Sequence, residues 1–167
     1  VSAACRMSKQ FRLNGLRVAI LCDGTRGDCQ PCIALALGLE KHGCIIIFVS
    51  NADHEKMVKA FGINHVTMGV NFESVVTTDE GLRHAMTSGS VMQFLKALGE
   101  GNQKRYPGTF EKGWTALENF KPDLILCHPI CGTLCSIYCH RYSVPVIHVP
   151  LQLVLLTGEV SPFGMNR

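Results

Sequence analysis

Asp28 is the side chain of this sequence best placed to do chemistry. It stands in the string Gly24-Thr25-Arg26-Gly27-Asp28-Cys29-Gln30-Pro31, which brings a base, an acid and two glycines together. An ionised carboxylate at the edge of a cleft can act as a general base, taking the proton of a hydroxyl as its oxygen attacks. The apolar run 18–22 precedes the string and helix-like residues follow it, so it reads as a strand-to-helix turn. In open α/β sheets such a turn lies at the carboxyl end of a strand, where ligands bind. Gly24 and Gly27 read as conformational, allowing backbone geometry and close approaches that a side chain would block. Pro31 fits the first helical turn, where its missing N–H is harmless. Asp28 then lies beside the helix amino end, whose partial positive charge favours a carboxylate. The plain alternative for Asp28 is an acidic helix cap. Arg26 could steer Asp28, meet a phosphate or simply be solvated, and Thr25 could cap or hydrogen-bond locally.

Nine cysteines and seven histidines offer other chemistry. Cys29 and Cys32 have the spacing of a thiol–disulfide pair at a helix start. Cysteine is equally at home as a small buried residue. Cys127, Cys131, Cys135 and Cys139 lie near His128 and His140. The last three of these cysteines are four apart and share one helix face, which suits packing on a sheet better than a zinc site. His42, His54, His65, His84 and His148 show no ligand spacing.

The elements that must carry Asp28 follow from hydropathy. Residues 17–22 and 44–50 read as buried parallel strands, 65–68 as a short third strand, 124–127 and 145–149 as a fourth and fifth. Residues 31–42 read as a helix stopped at Gly43, and Asn51 or Asp53 as the cap of a helix running to Phe61. Residues 69–78 read as a loop. Segments 90–98 and 109–120 read as two helices parted by a polar, Gly-rich, mobile loop at 99–108. A helix at 132–141 completes an alternating β-α order, which implies an α/β fold with a parallel sheet. Of the 167 residues, 47% are hydrophobic and 17% charged, enough for one well-filled domain. The net charge of +3 is too small and scattered for nucleic acid binding. No apolar run spans a membrane, and residues 1–16 lack the apolar core of a secretory signal.

The turn "GTRGDCQP", together with "GCIIIFVSNADHEKMVKAFGINHVTMG" and "KPDLILCHPICGTLCSIYCHRYSVPVIHV", resembles the amino-terminal domain of glycosyltransferase family 28, most nearly that of sterol 3-β-glucosyltransferases. The middle, roughly residues 71–106, is only weakly similar, and the tail 151–167 departs from the family pattern. The resemblance implies a Rossmann-like parallel sheet with helices on both faces, the N-terminal half of a GT-B fold. Residues 17–150 would form this acceptor-side domain, 1–16 a polar leader, and 151–167 a loop or the start of an interdomain linker. No second Gly-rich strand-turn-helix and no donor loop follows, so the C-terminal donor domain is expected to be absent. The donor would be a UDP-sugar, UDP-glucose by the resemblance, bound as co-substrate through that missing domain or a partner chain.

On the same resemblance the acceptor is a sterol or another lipid-like alcohol. Asp28 is its general base, and Gly24, Thr25, Arg26 and Gly27 form the active-site turn. Trp114, Phe110 and His148 are weaker candidates for acceptor contact; a pair such as the first two is more often ordinary core, and a histidine such as the third more often a satisfied, partly buried one. No cofactor and no metal are implied, since helix dipoles and side chains hold the diphosphate in such enzymes. The protein is expected to be cytoplasmic, with at most peripheral membrane contact, and the fragment alone to be inactive. Alternative readings are a subunit of a split two-chain glycosyltransferase, a non-catalytic sterol or lipid binder, and a dithiol redox protein using Cys29 and Cys32.

Overall fold

Alternating side chains of β1 (Arg17–Cys22) settle the architecture, because they enter two different cores. Val18, Ile20 and Cys22 face one side with Cys29, Cys32, Ile33 and Ala36; Ala19 and Leu21 face the other with Leu117, Leu134, Cys135 and Tyr138. A strand buried on both faces must carry helices on both. The computed structural model describes residues 13–69 and 77–151; at 91, 94, 95, 98 and 101–107 it describes the backbone alone.

Within these residues β1 leads through α1 (Arg26–Lys41) to β2 (Ile45–Ser50), and a 3₁₀ turn (Ala52–His54) and α2 (Glu55–Ala60) lead to β3 (His65–Thr67). After α3 (Glu80–Thr87) and α4 (Val91–Phe120) come β4 (Leu124–Cys127), a 3₁₀ turn (Pro129–Cys131), α5 (Gly132–Tyr142) and β5 (Val146–His148). The five strands are parallel in the order β3-β2-β1-β4-β5. This is the Rossmann-like arrangement, and its order reverses between β1 and β4. In sheets of this kind ligands bind at that point, outside the carboxyl ends of the strands. Arg17 ties the opposite edge: its Nε donates to the carbonyls of Phe120 (2.9 Å) and Lys121 (3.2 Å) at the carboxyl end of α4.

Three local expectations are corrected. The first helix starts at Arg26 rather than Pro31, because Thr25 is extended and caps it. Pro31 therefore sits inside the helix, where it denies Gly27 its helical donor. Asn51 does not cap the following turn, since its side chain is engaged elsewhere. Residues 91–120 form one helix across the expected mobile loop. Gly99, Gly101, Pro107 and Gly108 weaken helix propensity, yet packing of the Ala116–Leu117–Phe120 end on the sheet outweighs it. A helix capped by Asp79, whose side chain accepts from Leu82 N at 2.9 Å, was not expected at 80–87. Most of the 1–16 leader (residues 1–12), of the 69–78 loop (residues 70–76) and of the 151–167 tail (residues 152–167) lies outside the described residues.

Candidate active site

Asp28 is the third residue of α1, and three features fix its carboxylate. Its Oδ2 accepts hydrogen bonds from Thr25 N (2.7 Å) and Thr25 Oγ1 (2.9 Å). The backbone bond is one half of a capping box, formed here by Asp in place of Glu. Gly24 supplies the space. Its φ is +120°, and a Cβ there would lie 2.5 Å from Asp28 Oδ2, so the carboxylate occupies the volume a side chain would take. Gly27 is different: it is helical, and a Cβ there would make only an ordinary 3.5 Å contact with Thr25 Oγ1. The expected conformational role therefore belongs to Gly24 and not to Gly27.

The neighbouring strand braces the turn. β1 and β2 pair Cys22 with Ser50, which sets Asn51 beside Asp23. Asn51 Nδ2 donates to Asp23 Oδ1 (3.0 Å) and to Gly24 O (2.9 Å), while Gly24 N donates to the same Asp23 oxygen (2.8 Å). Asn51 is 2% exposed, and its Oδ1 finds no hydrogen-bond partner among the described residues. A ligand donor or a water can satisfy such an atom.

The strand across the switch point supplies His128. Cys127 pairs with Leu21, and His128 N donates to Leu21 O at 2.9 Å. Its Nε2 stands 3.6 Å from Asp28 Oδ1, the carboxylate oxygen that Thr25 leaves free. The histidine side chain is 8% exposed and that of Asp28 24%, so the carboxylate is the open member of the pair. Burial holds His128 below its ordinary pKa although Asp28 and Asp23 pull it upward. The ring is therefore neutral near pH 7.

The remaining nominated residues divide. Arg26 is exposed at the start of α1, on the turn itself. His148 is exposed at the end of β5, its Cε1 3.6 Å from the position of a Cβ on Gly132, so it belongs to the same sheet edge. Phe110 and Trp114 are not brought to the turn. Their rings stack at 5.7 Å, and Trp114 meets Tyr138 (5.2 Å) and Tyr142 (5.9 Å) on the face opposite α1. An open groove of about 700 Å³ runs along α4 on that face, lined in part by Asn64, Thr67, Glu111 and Lys112. It contains no residue of the turn.

Among the described residues every cysteine but the half-buried Cys139 is core. Cys29 is 0% exposed and Cys32 2%, and both contact Cys22. The hydrogen bond from Cys22 draws the Cys29 thiol down to about 6, against its burial, and His54 adds to this. Burial lowers His54, but the bond and charge of Cys29 outweigh it and leave the imidazole raised. Reactive thiols sit in partly exposed positions, and this pair does not. Cys127, Cys131 and Cys135 are likewise buried. Among the described residues no group of three or more His, Cys, Asp or Glu side chains is arranged to hold a metal ion.

Asp23, Asn51 and His128 were the residues that sequence reasoning missed. Each directly follows a buried parallel strand next to the switch point, and that position was the available signal. The assembled edge can therefore accept a proton from a hydroxyl: a carboxylate with one oxygen tied and one free, beside a neutral imidazole.

Comparison with known proteins identifies the family and the fold. The glycosyltransferase family 28 N-terminal domain matches residues 18–125. The UDP-sugar-dependent glycosyltransferase 52 of Dictyostelium discoideum is 25% identical over 153 residues, 91% of this chain and 8% of that protein. A sterol 3-beta-glucosyltransferase of Arabidopsis thaliana is 24% identical over 151 residues, 88% of this chain and 23% of that protein. The chain thus spans under a quarter of the length of either relative. Among solved structures, the calicheamicin glycosyltransferase CalG4 superposes with a TM-score of 0.61 at 14% identity, over 90% of this chain and 34% of that one. SsfS6, a glycosyltransferase of Streptomyces sp. SF2575 solved with thymidine diphosphate, gives 0.58 at 14% identity, over 81% and 38%. These likenesses establish the fold, the Rossmann-like N-terminal domain of GT-B enzymes. Among the described residues no helix is long and apolar enough to cross a membrane.

Proposed function

This chain belongs to glycosyltransferase family 28 through its N-terminal domain, and on that premise we propose that it is the acceptor-binding half of an inverting hexosyltransferase. The observation that carries the reading is the free Oδ1 of Asp28 at the carboxyl edge, with Oδ2 held by Thr25 in the space left by Gly24. A carboxylate so fixed is preorganised to take the acceptor's proton as its oxygen attacks the anomeric carbon. The negative charge leaving with the nucleotide diphosphate is handled on the donor side, by a further domain or a partner chain.

A UDP-sugar, UDP-glucose in the first instance, is the donor we propose, and a sterol or similar lipid-like alcohol the acceptor. The Arabidopsis relative, a sterol 3-beta-glucosyltransferase, supports an apolar acceptor. Arg26 and His148 flank the acceptor without an assigned role. The reaction needs no cofactor and no metal, and any membrane contact is peripheral.

The test is transfer from radiolabelled UDP-glucose to a sterol by the native polypeptide that carries these residues, with and without EDTA. Transfer that survives EDTA is expected, together with little or none from the 167 residues alone. A full rate from the isolated chain would refute the division into halves. Sterol binding with no transfer from any sugar nucleotide offered would instead make the chain a lipid-binding module.

A further inference from the structure

We infer that His128 is the second half of the acceptor-hydroxyl site: its Nε2–H and the free Oδ1 of Asp28 together hold the hydroxyl oxygen. This rests on the reading of Asp28 as the base. Three observations carry it. The separation of Nε2 and Oδ1, 3.6 Å, is too long for a direct hydrogen bond. It nevertheless leaves room for one oxygen at about 2.8 Å from both, as in a bridged polar contact. Thr25 supplies two donors to Oδ2, and among the described residues no hydrogen bond reaches Oδ1, so the hydroxyl is directed to the oxygen that faces His128.

The tautomer is the third observation. His128 Nδ1 is buried and has no hydrogen-bond partner among the described residues. A proton on Nδ1 would be a buried donor left unpaired, whereas a bare lone pair there is less costly. The proton therefore belongs on Nε2, aimed at the gap. The acceptor hydroxyl donates its hydrogen to Asp28 Oδ1 and accepts from Nε2–H. This places one lone pair of the oxygen away from both partners, toward the donor sugar. As the hydroxyl oxygen bonds to the anomeric carbon, that carbon's bond to the nucleotide diphosphate breaks and the diphosphate leaves with the electron pair, while the O–H bond breaks and its proton passes to Oδ1; His128 keeps its own proton throughout. Because the imidazole touches the reacting oxygen, it would be a catalytic residue, and among the described residues Asp23 is the other acid acting on it.

Two measurements test this. In the described chain, ¹⁵N NMR of the His128 ring should show the Nε2–H tautomer at neutral pH. Its titration midpoint should fall by at least about half a pH unit in Asp28→Asn, where the neighbouring charge is lost. In the native polypeptide, His128→Leu should lower kcat/KM for the acceptor by at least about tenfold, and His128→Gln, which keeps an N–H, should recover most of that loss. An Nδ1–H tautomer, an unmoved midpoint, or His128→Leu within about threefold of wild type would each overturn the inference. Undiminished transfer by Asp28→Asn is the separate result that would sink the base assignment itself.

Discussion

The β1–α1 turn and the aromatic cluster between α4 and α5 were both marked by their residue types as parts of a site, and the fold treats them in opposite ways. At the turn, polar atoms are fixed one by one: Asp28 by Thr25, Gly24 and Asp23 by Asn51. Buried atoms such as Asn51 Oδ1 and His128 Nδ1 have no partner there among the described residues. In the cluster, Phe110, Trp114, Tyr138 and Tyr142 satisfy one another, and Tyr138 and Tyr142 find acceptors in Leu117 O (3.2 Å) and a Glu118 oxygen (2.7 Å). Ring stacking of this kind stabilises a helix pair. Polar groups held in place with capacity to spare are where a ligand can be met.

The contrast predicts that changes at the turn alter chemistry, while changes in the cluster alter stability. Gly24→Ala should show the largest effect. Its methyl would displace the Asp28 carboxylate and force an unfavourable φ, costing about 1–3 kcal/mol and lowering transfer by about 10²-fold or more. Gly27→Ala should stay within about 0.5 kcal/mol; equal behaviour of the two alanines in urea melts would break the account of the turn. Trp114→Ala should lower stability by about 2–3 kcal/mol, below the fully buried range, with transfer per folded molecule intact. A change in acceptor KM for that variant would return Trp114 to the site. Asn51→Ala should cost about 1–2 kcal/mol, as both of its bonds are lost.

The smallest effect is on pH dependence. Burial holds His65 and His128 below their ordinary values, so the unfolded chain takes up their protons first as pH falls. Their contribution is therefore complete above about 6.5 and is lost on acidification below it. His54 is raised and acts in the reverse sense, its contribution fading as pH rises through its folded value. His65→Gln should flatten the acid side of a stability-versus-pH curve; an unchanged slope would contradict the assignment.

Much of the edge was legible because backbone requirements leave marks in residue type. The apolar run of β1, the glycine before an extended cap and the acid three residues beyond the cap identify the turn without coordinates. Pro31 misled the helix start, since proline is permitted in a first turn and only the Thr25 cap shows where that turn lies. Asn51 looked like a cap because asparagine is a good one; its true partners, Asp23 and Gly24, are brought near only by strand pairing. His128 was read with the cysteines around it, and its 3.6 Å approach to Asp28 depends on β4 lying next to β1. Gly99 and Pro107 suggested a break that tertiary packing overrode. Local signals carry local geometry, and contacts across the switch point need the sheet order.

The most direct test of the central claim is single-turnover sugar transfer by the native polypeptide, wild type against Asp28→Asn, at saturating sterol and UDP-glucose. Asn keeps the size of the side chain and can still accept from Thr25 N, so binding and folding should persist. The account predicts a transfer rate lowered by about 10²–10⁴-fold with acceptor affinity within a few-fold of wild type. A variant that transfers sugar at the wild-type rate would show that Asp28 is only the cap of its helix.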